Sequence, residues 1–441
     1  MATNRSLVSP TSNPLLEKAL REKLQRRNEA GGSLGELEPL AIRLGLMQNT
    51  LKPRLRAPQL LVFAADHGIA VDGIQKSPAE GGRSTADTVR MLLSQQLPMT
   101  SFARAQQIEL TVVDCGMAEN LAPNDRLMMR KIAHATRNTR ATVAMSLEQA
   151  HAGMRAGMEI GDKLRGNVTL LAGVGVGSHE SAALVLSRLT DSPVRDLVVS
   201  GSQMNGDQLG HLIAVLNGAQ ARHRTLVEPI EVMAAFGGFE VAVMVGVILM
   251  AASKRHLLMI DGMPACAALM VAARIAQPVT DYCLFCRSHS HRGLDQALNL
   301  FRAAALMELG MESTDGTGAT LAWPLVKSAA ALLTEVAAEA DDARAAGGAT
   351  AEPEAEPFAP PTLEPSPVGD ALYCGRAHGP ACAGPCGCRR TGPLRAGLTT
   401  PAPPGRVRPG ASAWAGRPAP GWREPRARTG RQAASAACIA V

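Results

Sequence analysis

Asn167-Val-Thr-Leu-Leu-Ala172 runs straight into Gly173-Val-Gly175-Val-Gly177-Ser178, and a helical pattern, Glu180-Ser-Ala-Ala-Leu-Val-Leu186, starts at once. An apolar strand that breaks at glycines and restarts as a helix is the βα unit of a parallel sheet. Three glycines in five positions remove the Cβ atoms that would keep a ligand off the backbone. The helix start adds unpaired N–H groups and a partial positive charge. The stretch therefore predicts an anion cradle, for phosphate above all, with a tight structural turn as the competing reading. It is not a Walker A loop, which ends Gly-Lys-Ser/Thr, and its third glycine comes one residue too early for the dinucleotide fingerprint.

The same alternation extends on both sides. Strands are predicted at Leu60–Ala64, Leu110–Val113, Val168–Leu171, Leu257–Ile260 and Val279–Phe285. Each is short and apolar throughout, as in a sheet covered on both faces. Helices are predicted at Met145–Leu164, Gln208–Leu216, Phe239–Ala252 and Cys266–Ala276, and before them an N-capped helix from Asn13-Pro14 that breaks at Gly31-Gly32-Ser33-Leu34-Gly35. The pattern is a parallel sheet in an open α/β fold. Four strands end in Asp66-His67-Gly68, Asp114-Cys115-Gly116, Gly173 to Gly177 and Asp261-Gly262. Ligands bind at the carboxyl ends of such strands, which makes these four the candidate walls of one site.

Charge is distributed unevenly over the 441 residues. Residues 345–441 hold 11 Arg, no Lys, 6 acids and 16 of the 29 prolines, while residues 1–344 carry 34 basic and 33 acidic groups. The near-neutral folding part and 3% aromatic content give no electrostatic or stacking signature for nucleic acid. The Pro/Ala/Arg/Gly-rich tail lacks apolar periodicity and is expected to be disordered. Its Cys374, Cys382, Cys386, Cys388 and His378 match no standard zinc spacing. The longest apolar run, Val241 to Ala252, is too short for a membrane span of about 20 residues and predicts a buried helix. With no apolar leader and no disulfide spacing among Cys115, Cys266, Cys283 and Cys286, a cytoplasmic protein with reduced thiols is expected.

Seven segments then occur in order: Gly32-Ser-Leu-Gly-Glu-Leu-Glu38, Phe63-Ala-Ala-Asp-His-Gly68, Ser77-Pro-Ala-Glu80, the 173–178 loop, Gly237-Gly-Phe-Glu240, Asp261-Gly262 and Asp315-Gly-Thr-Gly-Ala319. In this order the chain resembles the nicotinate-nucleotide:dimethylbenzimidazole phosphoribosyltransferase family over roughly residues 14–340. The resemblance implies a doubly wound parallel sheet in a Rossmann-like domain at 58–292 and a small helical domain from both ends of the folded part, 1–57 and 293–344, with 345–441 outside it. It also implies a homodimer without cofactor or metal. The implied reaction moves the phosphoribosyl group of nicotinate mononucleotide to a benzimidazole nitrogen, for the lower ligand of cobalamin.

The resemblance further implies phosphate or nucleotide contacts at Gly173, Gly175, Gly177, Ser178, Gly201, Gly206, Asp207, Gly316, Thr317 and Gly318. A base pocket falls near His67, Pro78, Thr85 and Asp87, and the family's catalytic glutamate falls on Asp315. Gly173 stands in place of an acidic residue, Leu212 of a lysine and Asp87 of a glutamine. Divergence at these positions suits a transferase for another aromatic base, or a non-catalytic nucleotide-binding subunit that works with a catalytic paralogue. Two residues carry open alternatives: His67 as ligand contact or structural histidine, and Glu240 as helix cap or site residue. His289 and His291, with Cys283 and Cys286, resemble a zinc set but are expected at the site edge or in the core.

Overall fold

Helices Pro14–Gly31 (α1) and Leu37–Gln48 (α2) precede the first strand, Gln59–Ala65 (β1). Thr85–Leu93 (α3) and Pro98–Ala105 (α4) lead to Glu109–Gly116 (β2) and the short Leu127–Met129 (β3). Leu147–Asp162 (α5) feeds Val168–Val174 (β4), followed by Ser178–Thr190 (α6), Gly206–Arg222 (α7), Pro229–Phe236 (α8) and Phe239–Ser253 (α9). Leu257–Asp261 (β5), Met263–Ile275 (α10), Cys283–Cys286 (β6), Arg292–Leu300 (α11) and Thr317–Thr334 (α12) complete the order. The computed structural model describes residues 7–75, 82–198 and 204–335. All of them belong to the first of two units into which the chain divides, 1–352 and 353–441. Pro78, Gly201 and the 345–441 tail lie outside the described residues.

The six strands are parallel, in the order β3-β2-β1-β4-β5-β6. This is the doubly wound arrangement read from the sequence. Chain direction across the sheet reverses between β1 and β4, so the topological switch point lies at their carboxyl ends. β1 and β4 are buried along their whole length, with Leu61 opposite Leu171 and Phe63 opposite Gly173. Two elements depart from expectation. Gln277–Tyr282 is a 3-10 turn, and only Cys283–Cys286 is strand; Pro278 cannot donate to a sheet ladder. β3 was not expected, because three residues leave no periodic trace.

Sequence signals explain the helix ends. Asn13 Oδ1 accepts the Leu16 N–H at 3.1 Å and caps α1. Ser146 with Gln149 and Asn205 with Gln208 form reciprocal capping boxes on α5 and α7. The apolar run from Val241 is α9, buried on nearly every side; no described helix is long and apolar enough to cross a membrane. α9 packs on α5 through glycines, since a Cβ on Gly157 would strike the Val243 carbonyl and one on Gly246 the Met154 carbonyl.

A buried ion pair ties the carboxyl ends of β1 and β4 to α9. His67, just past β1, is 4% exposed. Its Nδ1 donates to the Val176 carbonyl at 3.0 Å and its Nε2 to Glu240 Oε1 at 2.9 Å. A carbonyl can only accept, so Nδ1 carries a proton, and the carboxylate on the other nitrogen favours the imidazolium. Burial opposes that charge, but Glu240 outweighs it and the His67 pKa is raised above 6.5. Ser178 Oγ donates to the same Glu240 oxygen at 3.2 Å.

Two outcomes follow from this packing. Gly157→Ala should destabilise the fold by about 1–3 kcal/mol through overpacking, whereas Gly210→Ala, on α7 with open space around it, should stabilise it by up to about 1 kcal/mol; urea midpoints that move in the same direction would contradict this. Glu240→Ala should cost about 3–5 kcal/mol, because it leaves a buried charge without its partner. The folded-state pKa of His67 is raised, so its contribution is full below pH 6.5 and is lost as pH climbs through the folded value. The urea midpoint of the native protein should therefore fall above pH 6.5, and Glu240→Gln should make that fall shallower. An identical pH profile in the variant would show that the pair is not the source.

Candidate active site

A cleft of about 260 Å³ opens over the carboxyl end of β4. One wall is the β4–α6 loop with Gly173, Gly175 and Val176; a second is Arg83, Ser84, Thr85 and Thr88 at the start of α3. Ser313 to Asp315, before α12, and His289, after β6, close it on the other side. The cleft thus sits at the topological switch point, where βα connections diverge and leave a crevice.

The 173–178 loop is shaped first by the protein itself. A Cβ on Gly175 would strike the Ala65 carbonyl, and one on Gly173 would come within 2.6 Å of Pro264 Cβ. Gly177 holds φ at 83° as the first cap of α6, a backbone state that favours glycine. A side chain at position 173 would point into α10 rather than into the cleft. Ser178 is buried against Glu240. No side chain caps α6, whose first turn carries the buried Glu180 carboxylate; Arg83 is the cation among the cleft's lining residues.

Thr85 does reach the cleft, but its hydroxyl is committed. It donates to Asp66 Oδ1 and accepts the Val176 N–H at 2.9 Å. Asp66 Oδ2 in turn accepts the Ala118 N–H at 2.8 Å.

Asp315 is the charged centre. Its side chain is 1% exposed, and a Cβ on Gly262, which holds φ at 90°, would collide with its carboxylate. His179 Nε2 donates to Asp315 Oδ2 at 3.0 Å. His289 Nε2 lies 3.1 Å from Oδ1, but no donor is aligned for a hydrogen bond to that oxygen. Burial acts to raise the Asp315 pKa, yet the charge and hydrogen bond of His179, with His289 beside it, bring it down to about 2. Against its own burial, His289 is pushed up to about 9 by Asp315 and Glu312. His179 is likewise raised, chiefly by Asp315 acting against burial. The two imidazoles meet edge to face, with centroids 5.4 Å apart.

Beneath this cluster, Asp261 Oδ2 accepts from Ser288 Oγ at 2.9 Å and from the N–H groups of Gly316 at 3.1 Å and Ala319 at 2.8 Å. Its other oxygen has no hydrogen-bond partner among the described residues. Burial, then the nearby Asp315 charge, raises Asp261 to about 7.

Several sequence-derived site residues stand elsewhere. His67 and Ser178 are buried in the Glu240 network, which makes His67 structural and gives Glu240 no capping bond. Asp87 is exposed on α3, bonded to Ser84 and Arg90. Gly206 and Asp207 begin α7 and do not line the cleft; Leu212 is fully buried. The N–H groups of Gly316, Thr317 and Gly318 are taken by Asp261, the Thr314 carbonyl and Ser288, so none of the three is free for phosphate. Cys283 and Cys286 are buried in β6, and His291 accepts the Gly293 N–H at the start of α11. The residues that sequence reasoning missed are His179, Arg83 and Glu312. His179 had a signal, since it is the first polar ring after the glycine loop, on the opening turn of α6.

Known proteins share this architecture. The family model described as Phosphoribosyltransferase matches residues 9–344. A nicotinate-nucleotide–dimethylbenzimidazole phosphoribosyltransferase of Cupriavidus taiwanensis is 40% identical over 331 residues, 74% of this chain and 95% of the relative. The protein of the same name from Parabacteroides distasonis is 31% identical over 325 residues, 73% of this chain and 93% of its own. The crystal structure of the Thermus thermophilus protein of that name superposes with a TM-score of 0.67 at 28% identity, covering 73% of this chain and 96% of that one. With its switch-point cleft, its glycine loop and relatives matched over nearly their whole length, the chain belongs to the nicotinate-nucleotide–dimethylbenzimidazole phosphoribosyltransferase family.

Proposed function

We propose that the chain transfers the phosphoribosyl group of nicotinate mononucleotide to a benzimidazole-type base and releases nicotinate and an α-ribotide. The observation that carries this reading is the meeting, in one cleft, of the uncapped start of α6, the Arg83 guanidinium and the His179–Asp315 pair. The first two suit a phosphate monoester. The third suits removal of a proton from a nitrogen heterocycle.

The nicotinate nitrogen is cationic while bonded to ribose, so it leaves by taking the electron pair of the C–N bond, without help from a metal. A benzimidazole nitrogen supplies the new pair to the anomeric carbon. The proton on its second nitrogen must then go to a base. Asp315 is buried under His179, and its Oδ2 already accepts the His179 Nε2–H. In this reading the neutral form of His179, present once pH exceeds its raised pKa, takes the proton on Nδ1, and Asp315 orients the ring and stabilises the imidazolium that forms. Orientation of the two substrates supplies the remainder of the acceleration. The buried carboxylate expected at Asp315 is thus retained, with its role exercised through His179. The homodimer and the small domain built from both chain ends belong to this proposal and rest on the family resemblance; the cytoplasmic location belongs to it too and rests on the absence of an apolar leader and of disulfide spacing in the sequence.

Incubation of the protein with nicotinate mononucleotide and 5,6-dimethylbenzimidazole should yield nicotinate and α-ribotide in equal amounts. Asp315→Ala and His179→Ala should each lower kcat by about 10²–10⁴, the usual worth of a general base, with a smaller change in KM for the nucleotide. Nucleotide binding without nicotinate release would instead favour a non-catalytic subunit. Unchanged kcat in both variants would remove the base assignment.

A further inference from the structure

We propose that His179, His289 and Asp315 form a binding site for a first-row divalent transition ion of the zinc or cobalt(II) type. One ligand atom from each residue lies within 4.8 Å of the others. One ring stands on each carboxylate oxygen: His179 Nε2 is 3.0 Å from Oδ2 and His289 Nε2 is 3.1 Å from Oδ1. Around an ion with bonds of about 2.0–2.1 Å, neighbouring ligand atoms stand about 2.9–3.4 Å apart. A small movement of either ring would therefore open the centre to an ion without rebuilding the loops.

Four further features point to a ligand. Asp315 Oδ1 is buried, makes no well-aligned hydrogen bond among the described residues and faces the His289 Nε2 at 3.1 Å, so its lone pairs point into the cluster. The carboxylate is held from behind by Gly262, where any Cβ would collide with it. Nδ1 of His289 lies 3.4 Å from Glu312 Oε2, the carboxylate-behind-histidine arrangement that orients metal-bound imidazoles. The three residues also come from three separate connections, after β4, after β6 and before α12, and converge on an open cleft that leaves coordination positions for water or a substrate oxygen. Two imidazoles with one carboxylate suit zinc, cobalt or iron and suit magnesium poorly, since magnesium demands oxygen ligands.

Ion binding would occupy His179 Nε2 and Asp315 at once and so break the hydrogen bond that prepares His179 as a base. The ion is therefore expected to switch the transferase off. This consequence rests on the proposed catalytic role of His179 and Asp315, whereas the binding claim does not.

The test uses the full-length protein stripped with a chelator and dialysed. Cobalt(II) is titrated in, with its visible d–d absorption as the readout, and zinc is measured by competition with a chromophoric chelator. One ion per chain is expected. Affinity should drop by more than about 100-fold in His289→Ala and by about 10-fold in Glu312→Gln, the usual size of an outer-sphere effect, while His291→Ala, whose ring caps α11, should bind as the native protein does. The Glu312 variant keeps the test open if removal of His289 disturbs folding. Absence of cobalt absorption, or equal affinity in the native protein and both cluster variants, overturns the site. Zinc that binds with these dependences but leaves nicotinate release unchanged upholds the site and contradicts the base assignment instead.

Discussion

The carboxyl end of β4 can lie where it does because three backbones are allowed to touch. Gly175 lies against the Ala65 carbonyl, Gly177 turns with a positive φ over His67, and Gly173 leaves room for Pro264. Through these contacts β1, β4 and α10 converge, and His67 reaches the Val176 carbonyl on one side and Glu240 on the other. The β4 side of the cleft inherits its position from that junction. α6 starts there, which fixes His179, and α9 is anchored there through Glu240.

A second constraint operates one layer across. Asp261, at the end of β5, receives the Gly316 and Ala319 N–H groups and the Ser288 hydroxyl. It thereby fixes the start of α12 to the end of β5 and to the loop after β6. The cost of that arrangement is two buried carboxylates close together. It is reduced because one, Asp315, is compensated by two imidazoles and driven to about 2, while the other rises to about 7. Environments that push neighbouring titratable groups apart in this way are characteristic of functional sites.

Much of the fold was legible in the sequence, because buried parallel strands and capped helices leave local marks. Val168 to Val174, the Asn13-Pro14 cap and the α9 run all formed where their patterns placed them. The site was legible only as a place. The glycine loop correctly marked the carboxyl end of β4, but most of its glycines serve close approach of protein to protein rather than of ligand to protein. Asp315 was visible through family resemblance and His289 as a residue of the site edge or core, but their meeting with His179 was not, since His179 and His289 are 110 residues apart and come together only through the parallel crossovers. The resemblance places nucleotide contacts at Gly316, Thr317 and Gly318; that their N–H groups serve Asp261, the Thr314 carbonyl and Ser288 leaves no mark in the sequence.

The histidines around the switch point divide into a structural one, His67, and two that face the cleft, His179 and His289. Imidazole 15N NMR during titration with nicotinate mononucleotide addresses that division most directly. The predicted result, at a pH below 6.5, is that both His67 nitrogens stay at imidazolium shifts throughout, while the His179 and His289 resonances move with nucleotide. Nucleotide-dependent shifts at His67 with an unresponsive His179 and His289 would contradict it.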